Sequence, residues 1–234
     1  MTDYKTRHEI RLMPSLICLD LCNLESSVRE LESIGVDMLH VDILDGHFSP
    51  SMPIGIDTVA QLRKKTNLHF DAHLMVESNE FFIEQMISIK CERICFHLET
   101  AKHPDLLLRT IKKADIKAGI ALKPSTPIHL LEDIIYECDY ILLMMINPGY
   151  AGQNSEVQIT YAREKIKKCM DLIDKSGLNI PIQVDGRVSL ENLPMLLKNG
   201  ATDIVCGTGT LFRDGYSLME NHNAIMSVIR KTFD

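Results

Sequence analysis

The residues best suited to chemistry lie at the ends of short apolar runs. His40-Val41-Asp42 closes one run, Asp71-Ala72-His73 lies in a second, and Asp185 follows a third. In an extended segment residues i and i+2 share a face, so His40 and Asp42 point the same way. His40, Asp42, His73 and Asp185 offer two imidazoles and two carboxylates. That donor set suits a divalent ion such as Zn²⁺, Fe²⁺, Mn²⁺ or Co²⁺. Each residue alone reads as an ordinary polar group at a strand end; four at strand ends point to a site. A second set is backbone. Gly149–Gly152, Gly186 and Gly207–Gly209 place glycines after three separate runs. Singly they are turn glycines, but together their N–H groups could hold a phosphate dianion without any lysine.

Such groups need a regular scaffold. Eight runs rich in Ile, Val, Leu and Met recur: Met13–Leu19, Met38–Asp42, His69–Met75, Arg93–His97, Lys117–Leu122, Tyr140–Ile146, Pro181–Val184 and Ile204–Cys206. They are nearly apolar throughout, as buried parallel strands are. Amphipathic stretches alternate with them. Glu25–Ser33 sets Val28 and Leu31 on one face, Asp105–Lys113 sets Leu107, Leu108 and Ile111, and Tyr161–Lys175 sets Ile166, Met170 and Ile173. Gly35, Gly177 and Gly200 follow helices, where a left-handed cap favours glycine. Eight strand–helix units predict an α/β fold, a single (β/α)8 TIM barrel over residues 1–234 with eight helices. A doubly wound sheet is the alternative, weakened because no Gly-x-Gly-x-x-Gly follows the first run. Barrel chemistry sits at strand C-termini, which is where the four residues fall, and Gly149–Val157 reads as an active-site loop.

Composition narrows the class. At 45% hydrophobic and 24% charged, the 234 residues can bury a substantial core. A net charge of −7 with no basic run argues against nucleic acid. No apolar run nears the ~18 residues of a membrane helix, and Met1–His8 lacks the apolar stretch of a signal peptide. Seven scattered cysteines predict reduced thiols and a cytoplasmic location, not a disulfide framework. Cys18/Cys22 and Cys91/Cys95 share a Cys-x3-Cys spacing, but nothing completes a zinc finger, so they read as buried thiols.

From about Pro14 to Phe212 the chain resembles the ribulose-phosphate 3-epimerase family. The resemblance rests on Pro14-Ser15-Leu16, His40-Val41-Asp42-Ile43-Leu44-Asp45-Gly46-His47-Phe48 and Asp71-Ala72-His73-Leu74-Met75-Val76. It continues through His97-Leu98-Glu99, Asn147-Pro148-Gly149-Tyr150-Ala151-Gly152-Gln153 and Val184-Asp185-Gly186, in the family's order. It implies a barrel of the ribulose-phosphate-binding type and one divalent metal ion (Zn, Fe, Mn, Co or Mg) held by His40, Asp42, His73 and Asp185. It makes Asp42 and Asp185 the acid/base pair. Ser15, His73, Met75 and Met144 match substrate contacts, and Gly149, Tyr150, Ala151, Gly152, Gly186, Arg187, Gly207 and Thr208 match the phosphate-side loops. The sequence departs from the family at Leu44, where a methionine is usual, at Ala151, at Arg187 and at Thr208.

The implied reaction inverts C3 of a small phosphorylated ketose, through an enediolate, by proton transfer between two carboxylates on opposite faces. Ala151, Arg187, the Gly207-Thr208 ending and Cys18-Leu19-Asp20-Leu21 look closer to the D-allulose-6-phosphate branch; Lys123-Pro124 looks closer to the ribulose-phosphate branch. The balance leans to D-allulose 6-phosphate, with D-ribulose 5-phosphate as the alternative. The chain is expected to be a homo-oligomer that binds neither nucleic acid nor membrane. Two rivals remain: a metal-free decarboxylase, which would need a lysine among the carboxylates, and a non-catalytic sugar-phosphate sensor.

Overall fold

The computed structural model describes residues 8–150 and 156–234. Its strands are β1 (Arg11–Pro14), β2 (Met38–Leu44), β3 (His69–Met75), β4 (Arg93–His97), β5 (Lys117–Leu122), β6 (Tyr140–Met144), β7 (Ile182–Asp185) and β8 (Ala201–Cys206). All eight lie in one parallel sheet in the order β1-β8-β7-β6-β5-β4-β3-β2. A parallel bridge between Ser15 and His40 joins the two ends and nearly closes the barrel.

Alternation along the strands sorts the side chains into two cores. Leu39, Val41 and Ile43 of β2, with Phe70, Ala72 and Leu74 of β3, face outward into the large apolar layer under the helices. Each fully buried Leu or Ile there contributes about 1.5–3 kcal/mol. The opposite face points into the barrel. Cys95, Ala121, Tyr140, Leu142, Met144 and Ile146 pack together there, and Met13, Met38 and Val205 form a smaller group. Gly119 leaves room for the Tyr140 ring, which would strike any Cβ at that position.

The helices are α1 (Leu24–Ser33), α2 (Ile56–Arg63), α3 (Asn79–Ile89), α4 (Pro104–Lys113), α5 (Ala162–Ser176), α6 (Leu193–Lys198) and α7 (Leu218–Phe233). Among the described residues that makes seven α-helices, not eight. Two 3-10 turns, Ile128–Leu131 and Ile135–Glu137, join β5 to β6 instead. Pro124 and Pro127 each remove a backbone donor there, which disfavours a continuous helix. The first strand is also shorter than Met13–Leu19: β1 ends at Pro14, and Leu16–Cys18 turn as a 3-10 segment. By contrast β8 begins at Ala201, before Ile204, because Asp203 is a buried strand residue with a cationic partner. Among the described residues no helix is long and apolar enough to cross a membrane.

Candidate active site

Strands β2, β3 and β7 bring His40, Asp42, His73 and Asp185 together at the C-terminal mouth. One donor atom from each lies within 4.8 Å of the others. Asp42 Oδ1 is 3.2 Å from both His40 Nε2 and His73 Nδ1. Asp185 Oδ2 is 3.8 Å from His40 Nε2 and 3.6 Å from His73 Nδ1. Both imidazoles are fully buried, Asp42 is nearly so, and the Asp185 side chain keeps 16% exposure. Ser15 Oγ donates to Asp42 Oδ2 at 2.7 Å, so the bridge that closes the barrel also steadies one carboxylate.

The electrostatics of this cluster call for positive charge. Burial opposes charge on His40, yet Asp42, Asp185 and Asp71 outweigh it and raise the imidazole well above its usual range. Burial likewise pushes the Asp42 carboxyl up, but the two imidazoles outweigh it and hold the group far below the carboxylate range. His40 Nε2 is buried, faces the cluster and has no hydrogen-bond partner. An orphaned nitrogen beside two carboxylates and a second imidazole is what a divalent cation would satisfy, so the residues present fit such an ion.

Behind the cluster lies a polar layer that sequence reasoning left unassigned. His40 Nδ1 is 2.8 Å from Asp71 Oδ2. A carboxylate only accepts, so Nδ1 carries a proton, and a cation that displaced the second proton would meet the lone pair of Nε2. Asp71 also accepts from Gln183 Nε2 at 2.7 Å and from the Tyr140 hydroxyl at 3.0 Å. Arg93 ion-pairs with Asp71 (Nε–Oδ1 3.1 Å) and donates to Asp203 Oδ2 at 2.6 Å and Gln183 Oε1 at 3.0 Å. The available signal was spacing: Asp71 lies two residues before His73 and so shares its face.

Met75 and Met144 are buried at the ends of β3 and β6, and Leu44, which pairs in register with Met75, is buried at the end of β2. Gly149 and Gly186 have φ of 82° and 107°, in the region that favours glycine. A Cβ on Gly186 would lie 2.6 Å from Ile146 Cγ1. Gly149 and Tyr150 are half-buried, as is Gly207, while Thr208 is exposed. Arg187, where the resemblance leads one to expect glycine, adopts φ 53°. Its Nε donates to the Glu156 carbonyl at 3.0 Å, so the side chain reaches towards the loop after β6. Ala151 and Gly152 lie outside the described residues.

Cys91 and Cys95 are buried as expected, Cys138, Cys169 and Cys206 are buried too, and burial pushes the Cys91, Cys138 and Cys206 thiols up to about 12. Cys18 is half-buried and Cys22 is exposed, so the expectation of buried thiols fails for that pair: they lie on the 3-10 turn after β1 and on the connection to α1. A cleft of about 880 Å³ lies on the flank of the barrel between the β5–β6 connection and α5, away from the cluster.

An inward-facing donor cluster at the mouth of a (β/α)8 barrel defines a class of barrel enzyme; similarity narrows it further. Residues 11–211 match the model of the ribulose-phosphate 3 epimerase family. The ribulose-phosphate 3-epimerase of Treponema pallidum is 34% identical over 197 residues, covering 84% of this chain and 89% of that protein. That of Bacillus subtilis is 32% identical over 199 residues, covering 85% and 91%. That of Chlamydia pneumoniae is 33% identical over 221 residues, covering 93% and 94%. The chain belongs to the ribulose-phosphate 3 epimerase family, and is thereby an isomerase of the carbohydrate-phosphate 3-epimerase class. Solved structures show the same fold at low identity. KGPDC from Streptococcus mutans superimposes with a TM-score of 0.67 at 11% identity, over 97% of this chain and 100% of that one. The 3-hexulose-6-phosphate synthase of Salmonella typhimurium also gives 0.67, at 13% identity, over 95% and 100%.

Proposed function

We propose that this chain interconverts D-ribulose 5-phosphate and D-xylulose 5-phosphate, with Asp42 and Asp185 as the acid/base pair. The convergence of the two aspartates with His40 and His73 at the barrel mouth carries the reading. Relatives named for ribulose phosphate favour the pentulose over the hexulose to which the loop residues lean. Part of that lean rests on Ala151, outside the described residues.

Epimerisation requires a base on one face of C3 and an acid on the other. Asp42 on β2 and Asp185 on β7 reach the cluster from different sides of the ring. With one ionised and the other protonated, each takes either role according to direction. Ser15 holds Asp42 in place through its 2.7 Å bond. Met75, Met144 and Leu44 keep water from the reacting carbon. The phosphate is held by backbone N–H groups of the loops at Gly149-Tyr150, Gly186-Arg187 and Gly207-Thr208, which explains how a chain of net charge −7 takes an anion. His40, Asp42, His73 and Asp185 would hold a divalent cation, which when bound would supply positive charge beside the reacting carbon.

The test compares kcat/KM for D-ribulose 5-phosphate and D-allulose 6-phosphate on purified protein, with deuterium exchange at C3 followed in heavy water. A higher value for the pentulose, with exchange, is expected. A higher value for the hexulose overturns the substrate, and absence of exchange with either overturns the reaction.

A further inference from the structure

His97-Leu98-Glu99 lies at the end of β4, beside the four-residue cluster but not part of it. His97 Nε2 is 3.0 Å from His73 Nε2, and His97 Nδ1 is 3.1 Å from Glu99 Oε2. The other carboxylate oxygen, Oε1, accepts the backbone N–H of Lys123 at 2.7 Å and a short bond from the Thr126 hydroxyl. Glu99 is thus anchored to the turn that follows β5, and that turn is held by Lys165 Nζ, which donates to the carbonyls of Lys123, Pro124 and Thr126. Phe48 packs against His97, the two ring centroids 4.7 Å apart.

Counting donors gives this relay one direction when both rings are neutral and a cation, not a proton, lies between His73 Nδ1 and Asp42 Oδ1, which are 3.2 Å apart. The Glu99 carboxylate can only accept, so the proton of His97 sits on Nδ1. His97 Nε2 is then bare, and the proton between the two facing Nε2 atoms belongs to His73. That leaves the lone pair of His73 on Nδ1, the atom facing Asp42 Oδ1 and Asp185 Oδ2. His40 reaches the same end by a shorter route when neutral, with Nδ1 held by Asp71 and Nε2 facing the cluster without a hydrogen-bond partner. Two imidazoles therefore aim lone pairs at one point, one held by a carboxylate directly and the other through an intervening imidazole.

We propose that His97 and Glu99 are positioning residues, which fix the tautomer and ring orientation of His73 so that Nδ1 faces a divalent cation. The proposal rests on the cation reading of the cluster. It separates His97 from a ring that merely fills space under Phe48, because a space-filling ring has no reason to dictate where the proton of His73 resides. It also gives Glu99 a role that substitution by an amide reverses. In Glu99→Gln the amide N–H₂ would donate to His97 Nδ1. The His97 proton then moves to Nε2, and the His73 proton moves to Nδ1, facing the cluster.

Two measurements decide. The ¹⁵N chemical shifts of the imidazoles in wild-type protein saturated with Zn²⁺ should show His97 as the Nδ1–H tautomer and His73 as the Nε2–H tautomer; an imidazolium or Nε2–H form at His97 overturns the relay. Chelator competition should then show Mn²⁺ binding about 10–100-fold more weakly to Glu99→Gln than to wild type, the range expected when the outer partner of a ligand histidine is lost. Equal affinity in the folded variant overturns the relay while leaving the cation reading intact. Failure of the wild type to bind Mn²⁺, Zn²⁺, Fe²⁺ or Co²⁺ at one ion per chain overturns the cation reading and the purpose of the relay together.

Discussion

The carboxylate of Asp42 has its surroundings fully specified: a serine donor, two imidazole neighbours and almost no solvent. Asp185 is wetter and hangs from the far side of the ring. Replacing either by asparagine keeps the shape and removes the base. With saturating Mn²⁺ and an unchanged circular dichroism spectrum, kcat should fall by about 10²–10⁴. Near-full activity of either variant would remove the two-carboxylate reading. Glu99 yields a pH prediction. Burial pushes its carboxyl up, but bonds from His97, Thr126 and the Lys123 N–H outweigh that and bring it down to about 2. Its folded value lies below the usual glutamate value of 4.5. The stabilisation it brings is therefore complete above pH 4.5 and fades as pH falls towards 2. Measured with chelator present, wild type should have the higher Tm at pH 7, and its margin over Glu99→Gln should narrow by pH 4. A constant margin would mean that the carboxylate charge is not what stabilises the turn.

At the scale of elements, the connection from β5 to β6 departs most from the expected repeat. Without a helix there, α5 braces the turn through one side chain, Lys165, only 5% exposed and bonded to three carbonyls. Lys165→Met would keep the apolar stem and strand those carbonyls. A loss of about 2–3 kcal/mol is expected, read as a fall in Tm of roughly 4–12 °C for a chain of this size. An unchanged Tm would show that the clamp is dispensable. The expected helices at Glu25–Ser33, Asp105–Lys113 and Tyr161–Lys175 match α1, α4 and α5 closely, because apolar spacing and terminal caps are local properties. The start of β8 was not legible: Ala201-Thr202-Asp203 reads as loop until Asp203 meets Arg93, a residue 110 positions away.

Across the whole molecule, Arg93 ties the barrel together from inside. It bonds or ion-pairs with residues of β3, β7 and β8 from its place on β4. Arg93→Met leaves Asp71 and Asp203 buried without their main counter-charge, although Arg11 stays 3.6 Å from Asp203. Chemical denaturation should show a loss of about 3–5 kcal/mol. A loss below about 1 kcal/mol would mean that the polar layer is relaxed by water. The sequence alone determined the strand–helix alternation and the four donors at strand ends, since strand periodicity and a short list of ligand types suffice for both. Only the tertiary structure decided that β1 and β2 meet through Ser15 and His40, that Asp71 and Arg93 stand behind His40, and that His97 stands behind His73. Those partners come from strands far apart in the chain, and ring closure of the barrel, which no local pattern encodes, is what sets them face to face.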